Sequence, residues 1–160
     1  MRLPKGRDRG DYKFALTTRF DHVFWTGDFN YRIEGPDPAV LVQQSIAGNY
    51  KEILTQDQLQ SEQKKGNVLV GYKEGDINFP PTYKFSDKTD ILITEKGKNV
   101  GYCDRIFFGG RDDHKLNVLN YDCISEMLWG DHKPVFAQVE IEMDGLDPAR
   151  VSIFCYSSQK

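Results

Sequence analysis

Two polar side chains that could activate a water follow the strand-like run 22–27. Asp28 offers a proton acceptor, and Asn30, two residues on, offers a neutral hydrogen-bond donor. Because residues i and i+2 of an extended chain face the same side, the pair could align and deprotonate one water. A carboxylate at the end of a buried strand is also costly unless it has partners. The alternative is an Asx turn that only closes the strand.

Two more carboxylates adjoin predicted strands, each beside a possible cation. Asp104 and Arg105 lie in the run 103–108, and Asp131 and His132 precede the run 133–143. A histidine can donate to a phosphate oxygen while an acid fixes its tautomer. The alternatives are a surface ion pair and a solvated turn. We expect the candidate catalytic residues to meet at one sheet edge: Asp28, Asn30, Asp104, Asp131 and His132.

A basic segment could bind a phosphate that is not cleaved. Tyr83 and Lys84 follow two prolines that stiffen the backbone and limit the entropy lost on binding, and Lys96 and Lys98 lie a little downstream. Together these side chains could form a cationic pocket. The alternative, a solvated charged loop, is the default for any single lysine.

Helices and strands alternate along the chain in a way that predicts an α/β sandwich. Asp37 and Pro38 predict the start of a helix that runs to residue 48, and a second helix is expected over 50–65, ended by Gly66. Strand-like patterns cover the later part of the chain: 68–70, 77–85, 103–108, 116–119 and 133–143. There is no glycine-rich phosphate loop of a nucleotide-binding fold.

Composition indicates a folded, soluble chain. Of 160 residues, 39% are hydrophobic and 28% charged, and the net charge of -3 argues against nucleic acid as a partner. The three cysteines have neither disulfide nor zinc spacing, and no apolar run approaches the ~20 residues of a membrane span. We therefore expect a cytoplasmic protein, and one that acts on membranes only peripherally.

Five collinear segments resemble the inositol polyphosphate 5-phosphatase family. Residues 25–32 match its signature W-x-G-D-x-N-Y/F-R at every fixed position, and residues 79–84 match F-P-P-T-Y-K. Residues 100–105 correspond to P-A-W/Y-C/T-D-R, with Val100 for the proline and Gly101 for the alanine. Residues 94–98 resemble S-E-K-x-R, and residues 130–135 resemble S-D-H-K/R-P-V. The resemblance extends from about residue 21 to 142.

The resemblance implies a magnesium-dependent enzyme with a four-layered α/β/β/α sandwich fold, which removes the 5-phosphate of phosphoinositides or soluble inositol phosphates by direct attack of water. Asp28 is similar to the residue that activates this water, and Asn30 to a phosphate-orienting partner. His132 would stabilise charge on the 5-phosphate, Asp104 would brace the site, and Asp131 would lie near Mg²⁺. Which residues of this chain bind the metal stays open.

The resemblance also implies that the substrate's neighbouring 4-phosphate is bound by four residues, Tyr83, Lys84, Lys96 and Lys98. The family usually has arginine at the last of these positions, and lysine loses its bidentate fork. Arg105 is counted with these predicted substrate-binding residues.

The family's N-terminal half, with its magnesium-binding glutamate, is not found before residue 21. We therefore divide the chain into a remnant (1–20), the C-terminal part of the catalytic domain (21–143), and a tail that is one more strand or the start of a following module (144–160). We expect the second sheet to be largely absent and the isolated chain to be impaired. The alternative functions are a catalytically silent inositide-binding or scaffold domain and another hydrolase of the same superfamily.

Overall fold

The structure, a computed structural model, describes residues 16–94, 99–142 and 151–157. These residues contain six strands and three α-helices. Short 3-10 turns at Leu16–Thr18 and Asp113–Lys115 complete them. In chain order the elements are β1 (Val23–Asp28), α1 (Pro38–Ile46), α2 (Tyr50–Leu54), α3 (Gln58–Lys64), β2 (Tyr72–Glu74), β3 (Asp104–Gly109), β4 (Leu116–Cys123), β5 (Val135–Ile141) and β6 (Val151–Ser157).

The strands form two antiparallel sheets of three. The order is β1-β3-β2 in the first sheet and β4-β5-β6 in the second. β3 lies close to β5 and β6, and β1 lies close to β6, so the two sheets pack together. One hydrophobic cluster joins them and extends to Leu41 of α1 and Ile53 of α2. The predicted α/β sandwich is confirmed.

Burial patterns show why these strands form where they do. In β5 every second residue is buried, starting at Val135 and ending at Ile141, as the alternating sequence predicts for a strand with one face in the core. In β3 all six residues are buried, because other elements cover both faces of this strand. The predicted strands at these two places are confirmed.

Three predicted elements are wrong. The strand expected over 77–85 is an irregular segment with isolated bridges at Tyr83 and Phe85, because the prolines at 80 and 81 have no N–H to donate to a neighbouring strand. The helix expected over 50–65 is two helices, because the buried Asp57 interrupts it and caps α3 through a 2.8 Å bond from the Gln60 N–H. The strand expected over 68–70 is a turn in which Leu69 has φ 51, and the strand begins at Tyr72 instead. The predicted Asp37 cap of α1 is confirmed, since its side chain accepts from the Ala39 N–H.

The second sheet is larger than expected from the sequence. Residues 116–123 form a longer strand than the predicted 116–119, and β6, in the predicted tail, pairs along the whole of β5. The expectation that the second sheet is largely absent is therefore wrong for the described residues. None of the three helices described combines the length and the apolar character needed to cross a membrane.

A buried arginine links the first sheet to α3. The fully buried Arg105 donates from Nε and Nη2 to the two carboxylate oxygens of Glu74 on β2, at 2.6 Å each. Its Nη1 donates to both oxygens of Asp57 at 3.1 and 3.0 Å. Burial alone would lower the pKa of Arg105, but the charges and hydrogen bonds of these two partners raise it. Arg105 thus holds β2, β3 and the start of α3 together.

Candidate active site

Segment 82–85 brings the residues before β3 and β5 to one edge of the fold. The Tyr83 N–H donates to the Gly101 carbonyl at 3.1 Å, and the Gly101 N–H donates back at 2.9 Å. On its other side, the segment receives a 2.9 Å bond from the Lys133 N–H to the Thr82 carbonyl. Residues distant in sequence therefore become neighbours here.

Asp28 ends β1 directly opposite Asp104, the first residue of β3. Asn30 lies beyond the strand with φ 58, a left-handed conformation that asparagine tolerates better than most residues. Its N–H donates to Asp28 Oδ1 at 2.8 Å. The idea that an extended chain aligns Asp28 with Asn30 is wrong, because an Asx-type turn joins them. The turn still keeps both residues beside Asp104.

A buried carboxylate holds the histidine of the site. Asp104 is almost fully buried, and its Oδ2 lies 2.8 Å from His132 Nδ1. The Thr82 hydroxyl donates to the same oxygen at 2.8 Å and accepts the N–H groups of Cys103 and Asp104. Because a carboxylate only accepts, Nδ1 of His132 carries a proton. Its Nε2 is then the ring nitrogen left for a substrate.

The surroundings of His132 favour its charged form. Burial lowers the pKa of His132, but the hydrogen bond and charge of Asp104 and the charges of Asp28 and Asp131 outweigh it, so the pKa lies above its ordinary value. The Tyr83 ring also packs on the imidazole, with 4.7 Å between ring centroids. An imidazolium held in this way can donate to an anionic phosphate oxygen.

An NMR titration should therefore place the His132 midpoint above the ordinary histidine value of about 6.5. Since its folded-state pKa is raised, the interaction stabilises the fold fully below the unfolded-state pKa and is lost as the pH rises through the folded-state pKa. Asp104→Asn, which removes the nearest charge, should lower the midpoint. A midpoint at or below the ordinary value in the unmodified chain would contradict this description.

The described residues supply only some of the ligands that a metal ion needs. Asp28, Asp104 and His132 each have a ligand atom within 4.8 Å of the others. However, Asp104 Oδ2 accepts two hydrogen bonds, its Oδ1 is buried, and His132 Nδ1 is bonded to Asp104. Mg²⁺ prefers oxygen ligands in near-octahedral geometry. Asp28 fits as one such ligand, but the described residues do not make a magnesium site by themselves.

Most of the predicted site residues meet at this edge. Asp28, Asn30, Asp104 and His132 lie together, and the charge of Asp131 acts on His132. Among the predicted phosphate-binding residues, Tyr83 packs on His132 and the half-buried Lys84 follows it in the chain. Lys96 and Lys98 lie outside the described residues.

Arg105 is a correction to the predicted substrate-binding group. Its guanidinium is fully buried and occupied by Glu74 and Asp57, so it has no donor to offer a substrate. Two residues at the site received no role from the sequence. Thr82 and Arg32 both lie inside family-like segments, and that position was the only available signal for them.

Comparisons with known proteins find similar sequences. The family described as endonuclease/exonuclease/phosphatase family 2 matches residues 7–138. Type I inositol polyphosphate 5-phosphatase 4 of Arabidopsis thaliana is 35% identical over 152 residues, which are 89% of this chain and 26% of that protein. Phosphatidylinositol polyphosphate 5-phosphatase type IV of Homo sapiens is 34% identical over 80% of this chain and 20% of its own length. The chain thus spans about a quarter of such relatives.

Solved structures with the same fold differ in what they bind. The inositol polyphosphate 5-phosphatase domain of SPsynaptojanin, in complex with inositol (1,4)-bisphosphate and calcium, is 34% identical with a TM-score of 0.66, over 74% of this chain and 34% of that one. Cimex nitrophorin, a ferrous NO complex, is 25% identical with a TM-score of 0.68, over 77% of this chain and 42% of that one. The fold alone does not decide function, so the site must.

Proposed function

The chain belongs to endonuclease/exonuclease/phosphatase family 2, among the inositol polyphosphate 5-phosphatases, and from that premise we propose that it is part of an enzyme that hydrolyses the 5-phosphate of phosphoinositides or soluble inositol polyphosphates. The observation that carries the proposal is the cluster of Asp28, Asp104 and His132, with ligand atoms within 4.8 Å of one another. Its histidine is braced by a buried carboxylate and favoured in its charged form.

The proposed reaction is direct attack of water on phosphorus. Asp28 accepts a proton from the water, whose oxygen forms the new P–O bond while the bond to the inositol oxygen breaks. Asn30 orients the phosphate. The Nε2–H of His132 donates to a phosphate oxygen and offsets the growing negative charge, and Asp104 keeps the ring in place. The leaving inositol oxygen takes up a proton from water to become a hydroxyl, and Asp28 returns its proton to water, so the products are inorganic phosphate and the inositol alcohol.

Recognition of a neighbouring phosphate is the proposed role of the basic segment. Tyr83 and Lys84 lie next to His132 in the fold, so a 4-phosphate could contact them while the 5-phosphate is at the histidine. We assign Lys96 and Lys98 to the same pocket from the family resemblance.

The cofactor in this proposal is Mg²⁺, which would supply a positive charge to polarise the scissile phosphate. Asp28 is the described residue that fits it. A neighbouring structure contains calcium, and magnesium is our expectation for this family. From the family resemblance we place Asp131 near the metal as well, and the remaining ligands would come from outside the described residues.

The missing ligands lead to a prediction about completeness. The chain alone should release little phosphate from inositol 1,4,5-trisphosphate, with or without magnesium. We define a completed domain as this chain fused behind the part of the SPsynaptojanin domain that it does not match. This completed domain should hydrolyse the same substrate, and a metal chelator should abolish that activity. Metal assistance contributes several kcal/mol, and each ~1.4 kcal/mol is tenfold in rate.

Two outcomes would change the proposal. Rapid magnesium-dependent turnover by the chain alone would mean that it contains a metal ligand not identified here. An inactive completed domain that still binds the substrate would favour the other candidate function, a silent inositide-binding module, which the incomplete metal site of the described residues also allows.

Peripheral contact with a cytoplasmic membrane surface is part of the proposal. The loop before His132 exposes Leu128 and Trp129, the latter by 82%, and tryptophan is typical of membrane interfaces. The Lys133 ammonium holds this loop by donating to the Ser125 and Met127 carbonyls at 2.8 and 3.2 Å. Its apolar tip is therefore presented beside the site.

Replacing Trp129 by alanine should weaken binding to phosphatidylcholine vesicles containing phosphatidylinositol 4,5-bisphosphate several-fold, because the apolar anchor is lost. Co-sedimentation measures this, and the soluble substrate inositol 1,4,5-trisphosphate should be hydrolysed by the completed domain as before. Ile46→Ala, at a similarly exposed apolar residue on α1, is the matched control. Equal binding by the Trp129 and Ile46 variants would refute membrane contact through this loop.

A further inference from the structure

Arg32 occupies the site without a role in the reaction described above. Its Nη2 donates to Asn30 Oδ1, and its guanidinium carbon lies 4.0 Å over the centre of the Tyr83 ring. One side chain therefore touches a proposed phosphate-orienting residue and a proposed phosphate-binding residue. The same Tyr83 ring packs on His132.

The rest of Arg32 is held firmly in place. Its N–H donates to Gln58 Oε1 at 2.8 Å, and its carbonyl accepts from the Gln58 N–H at 3.0 Å. Gly101 packs so closely that an added Cβ would meet the Tyr31 carbonyl oxygen at 2.6 Å and Arg32 Cδ at 3.2 Å. The backbone of Arg32 and its side chain as far as Cδ are thus held in place.

The fully buried Arg105 shows what a purely structural role looks like. Arg105 uses Nε, Nη1 and Nη2 in hydrogen bonds to Glu74 and Asp57. In Arg32 the buried Nη1 has no hydrogen-bond partner among the described residues. An unpaired buried donor is costly, and a native protein that keeps one calls for an explanation. Unlike Arg105, Arg32 is therefore not fully paired by the described residues.

The direction of the Arg32 hydrogen bond decides which end of Asn30 can meet the substrate. Arginine has only donors, so the atom of Asn30 that it contacts must be the amide oxygen. The Asn30 NH2 group is then turned away from Arg32 and remains a donor for an anionic phosphate oxygen. Without Arg32 the amide could rotate and present its oxygen, which would repel that phosphate.

We propose that Arg32 is a positioning residue that couples the phosphate-binding ring of Tyr83 to the amide of Asn30. A substrate with a phosphate next to the scissile one is then hydrolysed faster, in addition to being bound more tightly. This inference rests on the proposed function. A phosphate that contacts Tyr83 restricts the motion of its ring and of the Arg32 guanidinium above it. The guanidinium in turn holds the Asn30 amide in one orientation.

The test uses NMR spectra of the full chain, with inositol (1,4)-bisphosphate and inositol 1-phosphate as probes. In the unmodified chain, the bisphosphate should shift both the Tyr83 backbone signal and the Asn30 side-chain amide signals, whereas the monophosphate should shift Asn30 several-fold less. Arg32→Lys keeps the charge but loses the planar fork. It should remove most of the Asn30 shift while the Tyr83 shift remains.

Control variants separate coupling from stability. Arg111→Lys, at an exposed arginine paired with Asp21, should leave both shifts unchanged. If Arg32→Lys does not fold, Tyr83→Leu removes the ring under the guanidinium and should abolish the Asn30 shift, whereas Tyr83→Phe should keep it. In the completed domain, Arg32→Lys should lower kcat about tenfold or more, as small misplacements do, with KM changed little.

The outcomes distinguish this inference from the proposed function. No shift of any site signal in the unmodified chain would overturn the coupling, whereas the proposed function is tested by turnover of the completed domain. A Tyr83 shift without an Asn30 shift, or an Asn30 shift that persists in Arg32→Lys or Tyr83→Leu, would overturn the coupling and leave the proposed function standing.

Discussion

Replacing Asp104 by asparagine should lower kcat of the completed domain by about 10³–10⁴-fold, similar to the loss when a hydrolase loses the aspartate that holds its histidine. The reason lies in one oxygen, Asp104 Oδ2, which accepts from His132 and from the Thr82 hydroxyl. Asparagine keeps the size of the side chain but removes the charge that favours the His132 imidazolium. Steady-state phosphate release from inositol 1,4,5-trisphosphate measures the effect.

The matched control for this charge removal is Asp37→Asn. Asp37 caps α1 through the Ala39 N–H, and asparagine is an equally good cap, so activity and stability should both stay unchanged. An Asp104→Asn domain that folds and retains activity within tenfold would contradict the role given to the carboxylate. Such a result would mean that His132 functions without the charged hydrogen-bond partner at its Nδ1.

Replacing Arg105 by methionine should destabilise the chain by about 3–5 kcal/mol, because removal of one partner leaves buried carboxylates without compensation. Asp57 is fully buried and Glu74 nearly so. Methionine fills a similar volume but cannot donate. Urea denaturation followed by circular dichroism measures the change in the free energy of unfolding, and the loss is large compared with the stability of a typical domain.

Arg111→Met is the matched control for this substitution. The Arg111–Asp21 pair is more than half exposed on both sides, and exposed pairs contribute about 0–1 kcal/mol. If Arg105→Met and Arg111→Met cost the same, the buried network does not hold the fold. In that case the assignment of Arg105 to structure rather than to the substrate would lose its main support.

Sequence patterns predicted the parts of the fold that depend on local burial. The alternation from Val135 to Ile141 predicted β5, because one face of that strand lies in the core and the other does not. The Asp37 cap of α1 was equally local. By contrast, the break between α2 and α3 depends on Asp57, which is buried because it pairs with Arg105, 48 residues away. The cap from Asp57 to the Gln60 N–H is local, but no window around Asp57 contains its buried partner.

The site shows the same division between local and distant causes. Arg105 was assigned to the substrate because it follows Asp104, but successive residues of a strand point to opposite faces. Asp104 faces His132 and Arg105 faces Glu74. Thr82 and Arg32 were missed because their roles consist of contacts with residues on other segments. Neighbours in sequence are a poor guide to neighbours at the site, where four separate segments meet.

The identity of the product tests most directly the claim that this edge is part of a 5-phosphatase site. ³¹P NMR can follow inositol 1,4,5-trisphosphate during incubation with the completed domain. We expect inorganic phosphate and inositol 1,4-bisphosphate in equal amounts, and neither product with Asp104→Asn. Loss of the 1- or 4-phosphate, or a mixture of bisphosphates from an active domain, would contradict it.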